Sequence, residues 1–391
     1  MAVIERIAAF HGDMTAWRHD IHAHPELGFE EQRTSDMVAE KLERFGCEVH
    51  RGIGKTGLVG TLRVGNGGSS VGLRADMDAL PILEANTFDH RSRHDGRMHA
   101  CGHDGHTTML LGAARYLCET RNFDGTVHFI FQPAEEGLGG AKAMVADGLF
   151  ERFPVDAVFG MHNGPSFPVG KFAMRAGPMM AGGASFDIIV TGKGAHGAGP
   201  ENAIDPMVAA AHVATALQTI VSRNVDPREA AVLSITQIHG GDAYNVIPET
   251  AVLRGTARAF NEDVMGLIET RMRRIAEGVA HGLGASAALD FRVIFPPLVN
   301  HADETDFAGD IAAAVVGEEN VDRDGPLIAA SEDFAYMLNE RPGAYIRIGN
   351  GGTEGGCPVH NPGYDFNDAA LPLGASFFAR LVEARLAKPS D

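Results

Sequence analysis

Apolar residues recur along the first part of the chain in two different patterns, one typical of helices and one typical of strands. SDMVAEKLERFG repeats apolar residues with helical spacing and ends in a glycine, which predicts a helix. SSVGLRAD, GTVHFIFQ and DAVFGMH are short runs of strand-forming residues bounded by Gly, Asp or Pro, which predicts strands. Alternation of this kind, over residues 35–180, is typical of an α/β sheet with helical crossovers.

Residues 183–297 show a different order of elements. The strand SFDIIVTG is followed by a helix over 206–223, by strands in AVLSITQIHGG and TAVLRGTARAF, by a helix over 262–281 and by a last strand, SAALDFRVIF. The order βαββαβ predicts a small α+β domain of ferredoxin-like type.

After this segment the chain returns to the first pattern, with a helix, a strand at GAYIRIGN and a closing helix over 369–388. The sequence therefore predicts an α/β fold with two domains. The larger domain, residues 1–182 and 298–391, has a mixed sheet with helices on both faces. The smaller domain, residues 183–297, is an inserted α+β lid. A chain of 391 residues exceeds the usual size of a single core, which agrees with two domains.

Composition and charge limit which partners the protein can bind and where in the cell we expect it. A net charge of −18 argues against nucleic acid or an anionic membrane as partner, because both require a cationic surface. Residues 1–20 carry charged side chains throughout, so they predict an amphipathic helix rather than a secretory signal or a membrane span. Four scattered cysteines do not form a disulfide framework. We therefore expect a cytoplasmic protein with reduced thiols, in which Cys47 and Cys118 are small buried apolar groups.

Polar side chains follow four of the predicted strands. Ligands of open α/β sheets bind beyond the carboxyl ends of the strands, so we expect these side chains to form a single site. They are Asp76 and Asp78 in RADMDALP, Glu135 and Glu136 in FQPAEEG, His162 in GMHN and His360 in GCPVHNPG.

The stretch HACGHDGH, residues 99–106, contains three histidines and a cysteine. Cys101 and His103 lie on a glycine-containing loop before a predicted helix, and a thiolate and an imidazole are good ligands for zinc, manganese or cobalt. A cysteine nucleophile activated by a neighbouring histidine is the alternative. In the metal hypothesis, the remaining ligands come from Glu136, His162 and His360.

Two adjacent carboxylates, Glu135 and Glu136, suit hydrolysis. One can bind a metal while its neighbour takes a proton from the attacking water, provided that a turn at Pro133 brings both to the site. A Glu-Glu pair is most often a solvated surface feature, but its place directly after an apolar strand favours a site. We interpret His99 and His106 as supports of the ligands or as helix-capping groups.

Seven motifs together resemble the M20 metallopeptidase superfamily, specifically its amidohydrolase branch. This branch contains hippurate hydrolases, N-acyl-L-amino-acid amidohydrolases and plant indole-acetyl-amino-acid hydrolases. The resemblance covers almost the whole chain, with the motifs in the expected order: RADMDALP, HACGHDGHTTMLLGAA, FQPAEEG, GMHN, GAHGAGP, NVIPE and GCPVHNPGYDFND. It implies a catalytic domain that binds two divalent ions per subunit, Mn²⁺, Zn²⁺ or Co²⁺, and a lid domain that joins subunits into a homodimer or homotetramer.

The resemblance also implies a ligand set. Cys101 would bridge the two ions, with His103 and His162 on one metal and with Glu136 and His360 on the other.

Further roles follow from the same motifs. Glu135 would be the general base and Asp78 the carboxylate that supports the site, although the residues alone also allow Asp78 to end a strand. Asp76 and Cys101 stand where most of the wider superfamily has a histidine and a bridging aspartate, a substitution that is usual for the amidohydrolase branch. A thiolate bridge is softer and more easily oxidised, which leaves the choice of metal open.

In the lid, the resemblance implies that His196 polarises the scissile carbonyl and reaches into the site of the neighbouring subunit. Asn245 would contact the substrate, and Arg258 would bind its carboxylate, because an arginine fork suits a carboxylate. A solvated surface arginine is the alternative for Arg258. Glu201 stands where many branch members have a histidine, a difference that bears on acyl-group preference or on the cation.

The leading hypothesis is metal-dependent hydrolysis of the amide bond of a small N-acyl amino acid, which releases a carboxylic acid and a free amino acid. A dipeptidase or carboxypeptidase of the same superfamily is the nearest alternative. A cysteine-nucleophile hydrolase and a non-catalytic metal-dependent binding protein are less favoured, since a purely structural metal site needs no general base.

Overall fold

The computed structural model describes residues 3–352 and 356–388. The chain divides into two compact units. The first comprises Met1–Gly177, Val299–Pro326 and Asp333–Asp391, and the second comprises Pro178–Leu298 and Leu327–Glu332.

The second unit begins a few residues before the predicted boundary at 182/183 and includes a later segment that the sequence did not indicate. Backbone hydrogen bonds explain both differences. The amide of Ala181 donates to the carbonyl of Ile328 over 2.9 Å, and the amide of Ile328 donates to the carbonyl of Met179 over 3.0 Å. Leu327–Glu332 is therefore attached to the start of the inserted segment although it is remote in sequence.

Helices and strands alternate over most of the described chain. The helices are α1 (Glu5–Ala8), α2 (His11–Ala23), α3 (Gln32–Phe45), α4 (His103–Thr120), α5 (Gly140–Ala146), α6 (Leu149–Arg152), α7 (Pro206–Leu217), α8 (Thr219–Arg223), α9 (Glu262–Gly282), α10 (Ala302–Val316), α11 (Ala335–Glu340) and α12 (Leu371–Arg385). The strands are β1 (Glu48–Ile53), β2 (Gly57–Val64), β3 (Ser70–Asp76), β4 (Gly125–Gln132), β5 (Ala157–Pro168), β6 (Phe172–Ala173), β7 (Gly177–Met180), β8 (Gly182–Thr191), β9 (Ala195–His196), β10 (Ala231–His239), β11 (Val246–Ile247), β12 (Thr250–Ala259), β13 (Ser286–Phe295), β14 (Leu298–Asn300), β15 (Val321–Asp322) and β16 (Gly343–Gly351). Within the described ranges, no helix is both long and apolar enough to span a membrane.

The first unit contains an eight-stranded sheet in the order β1-β2-β4-β3-β5-β16-β6-β15. Strands β4, β3, β5 and β16 run parallel, whereas β2 is antiparallel to both β1 and β4. Every residue of β4 is buried, and so is most of α4. Because they are buried on all sides, the sequences of both elements are nearly continuous apolar stretches. The prediction of an α/β fold with a mixed sheet is confirmed.

The amino-terminal segment forms two helices, α1 and α2, where the sequence predicted one. The buried side of α2 repeats at helical spacing, with Met14 and Ile21 contributing apolar groups. Arg18 and His22 occupy the same buried side, at 1% and 0% exposure. Two ionisable residues therefore enter the interior at positions that the pattern would assign to apolar ones.

The second unit contains a four-stranded antiparallel sheet in the order β10-β12-β8-β13, against which α7 and α9 pack. This is the strand order of a ferredoxin-like domain, as predicted. Local chemistry sets where both helices begin. The side chain of Asp205 accepts hydrogen bonds from the amides of the first turn of α7, and Asn261 caps α9 in the same way. The predicted helix over 206–223 is interrupted at Gln218.

Cys47 and Cys118 are buried and free, as expected, and their sulfur atoms lie 3.4 Å apart. Their separation by 71 positions in the chain concealed this contact. Cys47 directly follows Gly46, which ends α3 in the left-handed conformation, and Cys118 lies in the last turn of α4. The two thiols thus join the carboxyl ends of two neighbouring helices.

Candidate metal centre

Parallel pairing brings the strand ends of the first unit to one edge of the sheet. Asp76 ends β3 and His162 lies on the neighbouring strand β5, while Glu135 and Glu136 follow β4. His360 follows β16, which pairs with β5. The predicted site residues of this unit therefore come together at the carboxyl edge of the sheet.

Two groups of potential ligand atoms overlap at this edge. The ligand atoms of Cys101, His103 and His162 lie within 4.8 Å of one another, and so do those of Cys101, Glu136 and His360. The Cys101 sulfur is 3.3 Å from Nε2 of His162, and Nε2 of His360 is 3.2 Å from Oε1 of Glu136. Cys101 is the member common to both groups.

Unusual backbone conformations shape the loops that carry these side chains. Gly102 has a φ of +93°, and a Cβ placed there would lie 2.7 Å from the hydroxyl of Tyr364, so the position requires glycine. His360 has a φ of +63° and donates its amide hydrogen to the carbonyl of Ala100 over 2.7 Å. Ala134, with a φ of +51°, makes the turn that was expected next to Pro133. Strained backbone of this kind is common at functional sites.

Asp78 links two of the ligand-bearing segments. Its Oδ1 lies 3.2 Å from Nδ1 of His103, and its Oδ2 accepts a hydrogen bond from the amide of Glu136 over 2.9 Å. The carboxylate therefore orients the His103 ring, which is how ligand histidines are commonly held. The other ring nitrogen, Nε2, is buried and has no hydrogen-bond partner among the described residues.

These observations fit a divalent metal. The partnerless Nε2 of His103 is turned away from Asp78 and towards the other donors, and a buried nitrogen of this kind is costly unless something binds it. A thiol, imidazoles and a carboxylate are a donor set that suits zinc, cobalt or manganese. Burial, followed by the charge of Glu136, raises the pKa of the Cys101 thiol, so binding of a cation here releases a proton.

Asp76 and His106 form a second buried layer behind this cluster. Nδ1 of His106 donates to Oδ1 of Asp76 over 2.6 Å, and Nε2 of His106 accepts from the amide of Asn163 over 3.0 Å. Burial opposes ionisation of Asp76, but the charges of His103 and Arg74 and the hydrogen bond from His106 outweigh burial and hold its pKa well below the ordinary value. The interpretation of His106 as a supporting residue agrees with this geometry. Asn163 was missed, although it belongs to the motif GMHN.

His99 is buried and does not join the cluster. Burial lowers its pKa to about 3, so the ring is neutral at physiological pH. Among the described residues, neither of its ring nitrogens has a hydrogen-bond partner. The structure therefore gives it neither of the supporting roles that the sequence suggested.

A network centred on Arg18 lies beside the ligand loops and was not foreseen from the sequence. Arg18 contacts Asp104 at 3.4 Å, Asp365 at 2.6 Å and Asp368 at 2.7 Å. Asp104 adjoins His103 in sequence, and the other two carboxylates follow His360. One guanidinium thus ties α2 to both ligand-bearing segments.

His22 lies in the same network, with Nδ1 2.8 Å from Asp104 and Nε2 3.3 Å from Glu84. Burial alone would lower its pKa, but hydrogen bonds to Asp104 and Glu84 outweigh burial and raise the pKa from 6.5 to about 9. A basic group whose pKa is higher in the folded state than in the unfolded state stabilises the fold. This stabilisation is complete at pH values below the pKa of the group in the unfolded state. This contribution of His22 is present below pH 6.5 and is lost as the pH rises through about 9.

We therefore expect the free energy of unfolding to decrease more between pH 6.5 and 9 in the parent protein than in a His22→Asn variant. Urea denaturation at the two pH values measures both decreases. Equal decreases in the two proteins would show that His22 does not titrate with this raised pKa.

The predicted lid residues lie in the second unit. His196 is exposed on β9 and pairs with Val246 of β11, next to Asn245, whose carbonyl accepts a hydrogen bond from the amide of Gly197 over 2.7 Å. Arg258 is half-buried on another strand, β12, and donates to the carbonyl of Ala257 over 2.9 Å. Glu201 is exposed in a short 3₁₀ turn and accepts from the Asn202 side chain over 2.9 Å.

Comparison with known proteins agrees with this geometry. A family model described as peptidase family M20/M25/M40 matches residues 72–384. The chain is 45% identical over 382 residues to a hippurate hydrolase of Campylobacter jejuni, with 98% of this chain and 99% of that protein covered. It is 38% identical over 376 residues to an N-acetylcysteine deacetylase of Bacillus subtilis, with 96% and 97% covered.

Among solved structures, a Bacillus subtilis protein described as a dinuclear metal-binding peptidase of the M20 family matches with a TM-score of 0.85 and 35% identity, covering 97% of this chain and 99% of that one. The chain therefore belongs to peptidase family M20/M25/M40, which confirms the resemblance to its amidohydrolase branch and the prediction of a metal-dependent amidohydrolase.

Proposed function

We propose that the chain hydrolyses the amide bond of N-acyl amino acids and releases a carboxylic acid and a free amino acid. The main support is that Cys101 belongs to two groups of ligand atoms, one with His103 and His162 and one with Glu136 and His360. We assign these five residues as ligands of two divalent ions.

The chemistry follows from the residues around the cluster. When bound, divalent ions of this kind polarise a carbonyl and make water more acidic. Glu135, at 7% exposure, lies in a group with His103 and Glu136 whose ligand atoms are within 4.8 Å of one another. Glu135 takes a proton from the attacking water as the water oxygen bonds to the amide carbon, and it then gives this proton to the leaving amine. Asp78 holds His103 and the Glu136 backbone in place.

Metal removal tests this proposal directly. We expect the purified protein to hydrolyse N-benzoylglycine or one of a panel of N-acetyl amino acids, to lose activity after chelation and to regain it when manganese, zinc or cobalt is added back. Release of the free amino acid measures the rate. If metal binds but only dipeptides or peptide carboxyl termini are cleaved, the alternative of a dipeptidase or carboxypeptidase is correct and the substrate class proposed here is wrong.

Alkylation separates this proposal from a cysteine-nucleophile hydrolase. A ligand Cys101 should be protected from iodoacetamide by bound metal, because the thiolate is then engaged. A nucleophile would be inactivated at the same rate with and without metal.

The lid residues extend the proposal to substrate binding. His196 polarises the scissile carbonyl, Asn245 contacts the substrate and Arg258 binds the carboxylate of the amino acid. The lid also joins subunits into a homodimer or homotetramer, which sedimentation velocity measures. A cytoplasmic location, expected from the reduced thiols, belongs to the same proposal.

Arg258→Gln is expected to raise KM for N-acyl amino acids about 10- to 100-fold with a smaller effect on kcat, since a hydrogen bond to a charged group is lost. Arg254→Gln is the matched control. It lies four positions away on the same strand, and its guanidinium is paired with Asp187 at 2.9 Å on the surface. Equal KM values for the two variants would mean that Arg258 is a solvated surface arginine.

A further inference from the structure

One end of the eight-stranded sheet carries polar side chains on a single face. Pairing places Thr61 of β2 opposite His128 of β4, and Arg63 of β2 opposite Thr126 of β4. Residues two positions apart on a strand share a face, so these four side chains lie together. The opposite face carries apolar residues of the main core, such as Leu62, Val127 and Phe129. Thr126 and His128 are polar although every residue of β4 is buried, and the strand is apolar from 129 to 131, so their position needs an explanation.

A cavity of about 610 Å³ lies over this polar face. Its walls include Arg152, which ends α6, Phe153, which follows it, and Gly67 and Gly68 of the loop between β2 and β3. We call it the β2–β4 cleft, defined by Thr61, Arg63, Thr126, His128, Arg152 and Phe153. Its volume is in the range of pockets that hold small molecules.

The β2–β4 cleft is separate from the candidate metal centre. It includes Ser70 and Thr126, at the starts of β3 and β4, whereas Asp76 ends β3 and Glu135 follows β4. Seven residues of strand, each rising about 3.3 Å, put about 20 Å between the two locations. A ligand in the cleft would therefore be distinct from the substrate of the metal centre.

His128 provides a buried donor in the cleft. It is 5% exposed, and its Nδ1 lies 2.9 Å from the hydroxyl of Thr61. Burial, and then the charges of Arg63 and His50, lower its pKa to about 4, so the ring is neutral at physiological pH. When the Thr61 hydroxyl donates to Nδ1, the hydrogen of the ring is on Nε2. Among the described residues, Nε2 has no hydrogen-bond partner, although the ring lines the cavity.

Arg63 provides a positive charge without a partner of opposite charge. It is exposed and makes no ion pair within the described part of the chain, although the net charge of the protein is −18. Arg152 is only loosely paired, with Asp147 at 4.0 Å. The carboxylate in the lining, that of Glu48, is exposed and lies 3.1 Å from Nε2 of His50. Among the charged side chains of the lining, two guanidinium groups, those of Arg63 and Arg152, face one carboxylate. Two further carboxylates, those of Asp124 and Asp156, are bonded to backbone amides at the rim, those of Gly67 and Ser70.

We propose that the β2–β4 cleft binds a small metabolite through its phosphate or carboxylate group. The guanidinium of Arg63 pairs with the anion, because an arginine fork matches both phosphate and carboxylate oxygens. The Nε2 hydrogen of His128 and the hydroxyl of Thr126 supply further hydrogen bonds. The ring of Phe153, whose centroid lies 5.6 Å from that of His128, provides an apolar wall for the rest of the ligand.

Calorimetric titration of the metal-loaded protein at neutral pH and constant ionic strength tests this site. Inorganic phosphate and benzoate are the two probes, and the one that binds more tightly identifies the anion. Because either probe can also bind at the metal centre, the same titrations are repeated on metal-stripped protein. We expect binding to persist without metal.

Arg63→Gln should weaken this binding at least about tenfold, since a charged hydrogen bond is removed. His128→Leu is a second variant, which removes the ring donor and should also weaken the binding. Arg44→Gln is the matched control, because Arg44 is an exposed arginine of the same unit that pairs with Glu40 and should leave the affinity unchanged. The proposal is wrong if neither probe binds, if binding disappears with the metal, or if Arg63→Gln binds as the parent does.

Discussion

Replacing Glu135 with glutamine is expected to lower kcat for N-acyl amino acid hydrolysis about 100- to 10,000-fold while the bound metal remains in place. Glutamine has nearly the size of glutamate but cannot accept a proton from water. Glu135 lies within a group that includes His103 and Glu136, with ligand atoms less than 4.8 Å apart, so its carboxylate is close to the place where water would react. Steady-state kinetics and elemental analysis of metal per chain measure the two properties separately.

Glu136→Gln is the matched control, because the two glutamates are adjacent in sequence but are assigned different roles. Glu136 is grouped with Cys101 and His360, so its replacement should lower the metal content as well as the rate. A Glu135→Gln variant with the kcat of the parent would show that Glu135 is not the general base. Loss of metal from both variants to the same extent would assign Glu135 as a ligand instead.

Arg18→Met is expected to destabilise the fold by about 3–5 kcal/mol, because removal of one partner from a buried ion network leaves the other charges uncompensated. Arg18 is 1% exposed and contacts three carboxylates, of which Asp104 is fully buried. Methionine replaces the first part of the side chain with an unbranched apolar chain and removes the charge. The unfolding midpoint in urea measures the effect, and the fluorescence of Trp17, the single tryptophan, reports on α2 itself.

Arg44→Met provides the comparison, since Arg44 forms an exposed ion pair with Glu40 four residues away in α3. Exposed pairs of this kind contribute at most about 1 kcal/mol. A shift in midpoint for Arg18→Met no larger than that of Arg44→Met would contradict the assigned role of the network. Because Asp104 adjoins His103, and Asp365 follows His360, we also expect Arg18→Met to retain metal less tightly than the parent.

The sequence alone predicted the α/β class, the ferredoxin-like insertion and the family. These properties follow from local patterns: strands and helices differ in the period of their apolar residues, and catalytic motifs are continuous short segments. The rule that ligands bind at the carboxyl ends of parallel strands also predicted that RADMDALP, FQPAEEG and GMHN form one site. The residues themselves indicated His103 and Glu136 as metal ligands, whereas the distribution of the ligands over two ions and the roles of the lid residues came from the family resemblance.

Other features depended on contacts between residues remote in sequence, about which a local pattern carries no information. Arg18 and His22 are residue types that usually face solvent, and only the packing of α2 against α4 buries them beside Asp104. The neighbours of Arg63 and His128 were set by the register between β2 and β4, and a shift of one residue would have moved these side chains to the opposite face. Local periodicity therefore determined the elements and the chemistry at their ends, whereas strand pairing and helix packing decided which charges are buried together.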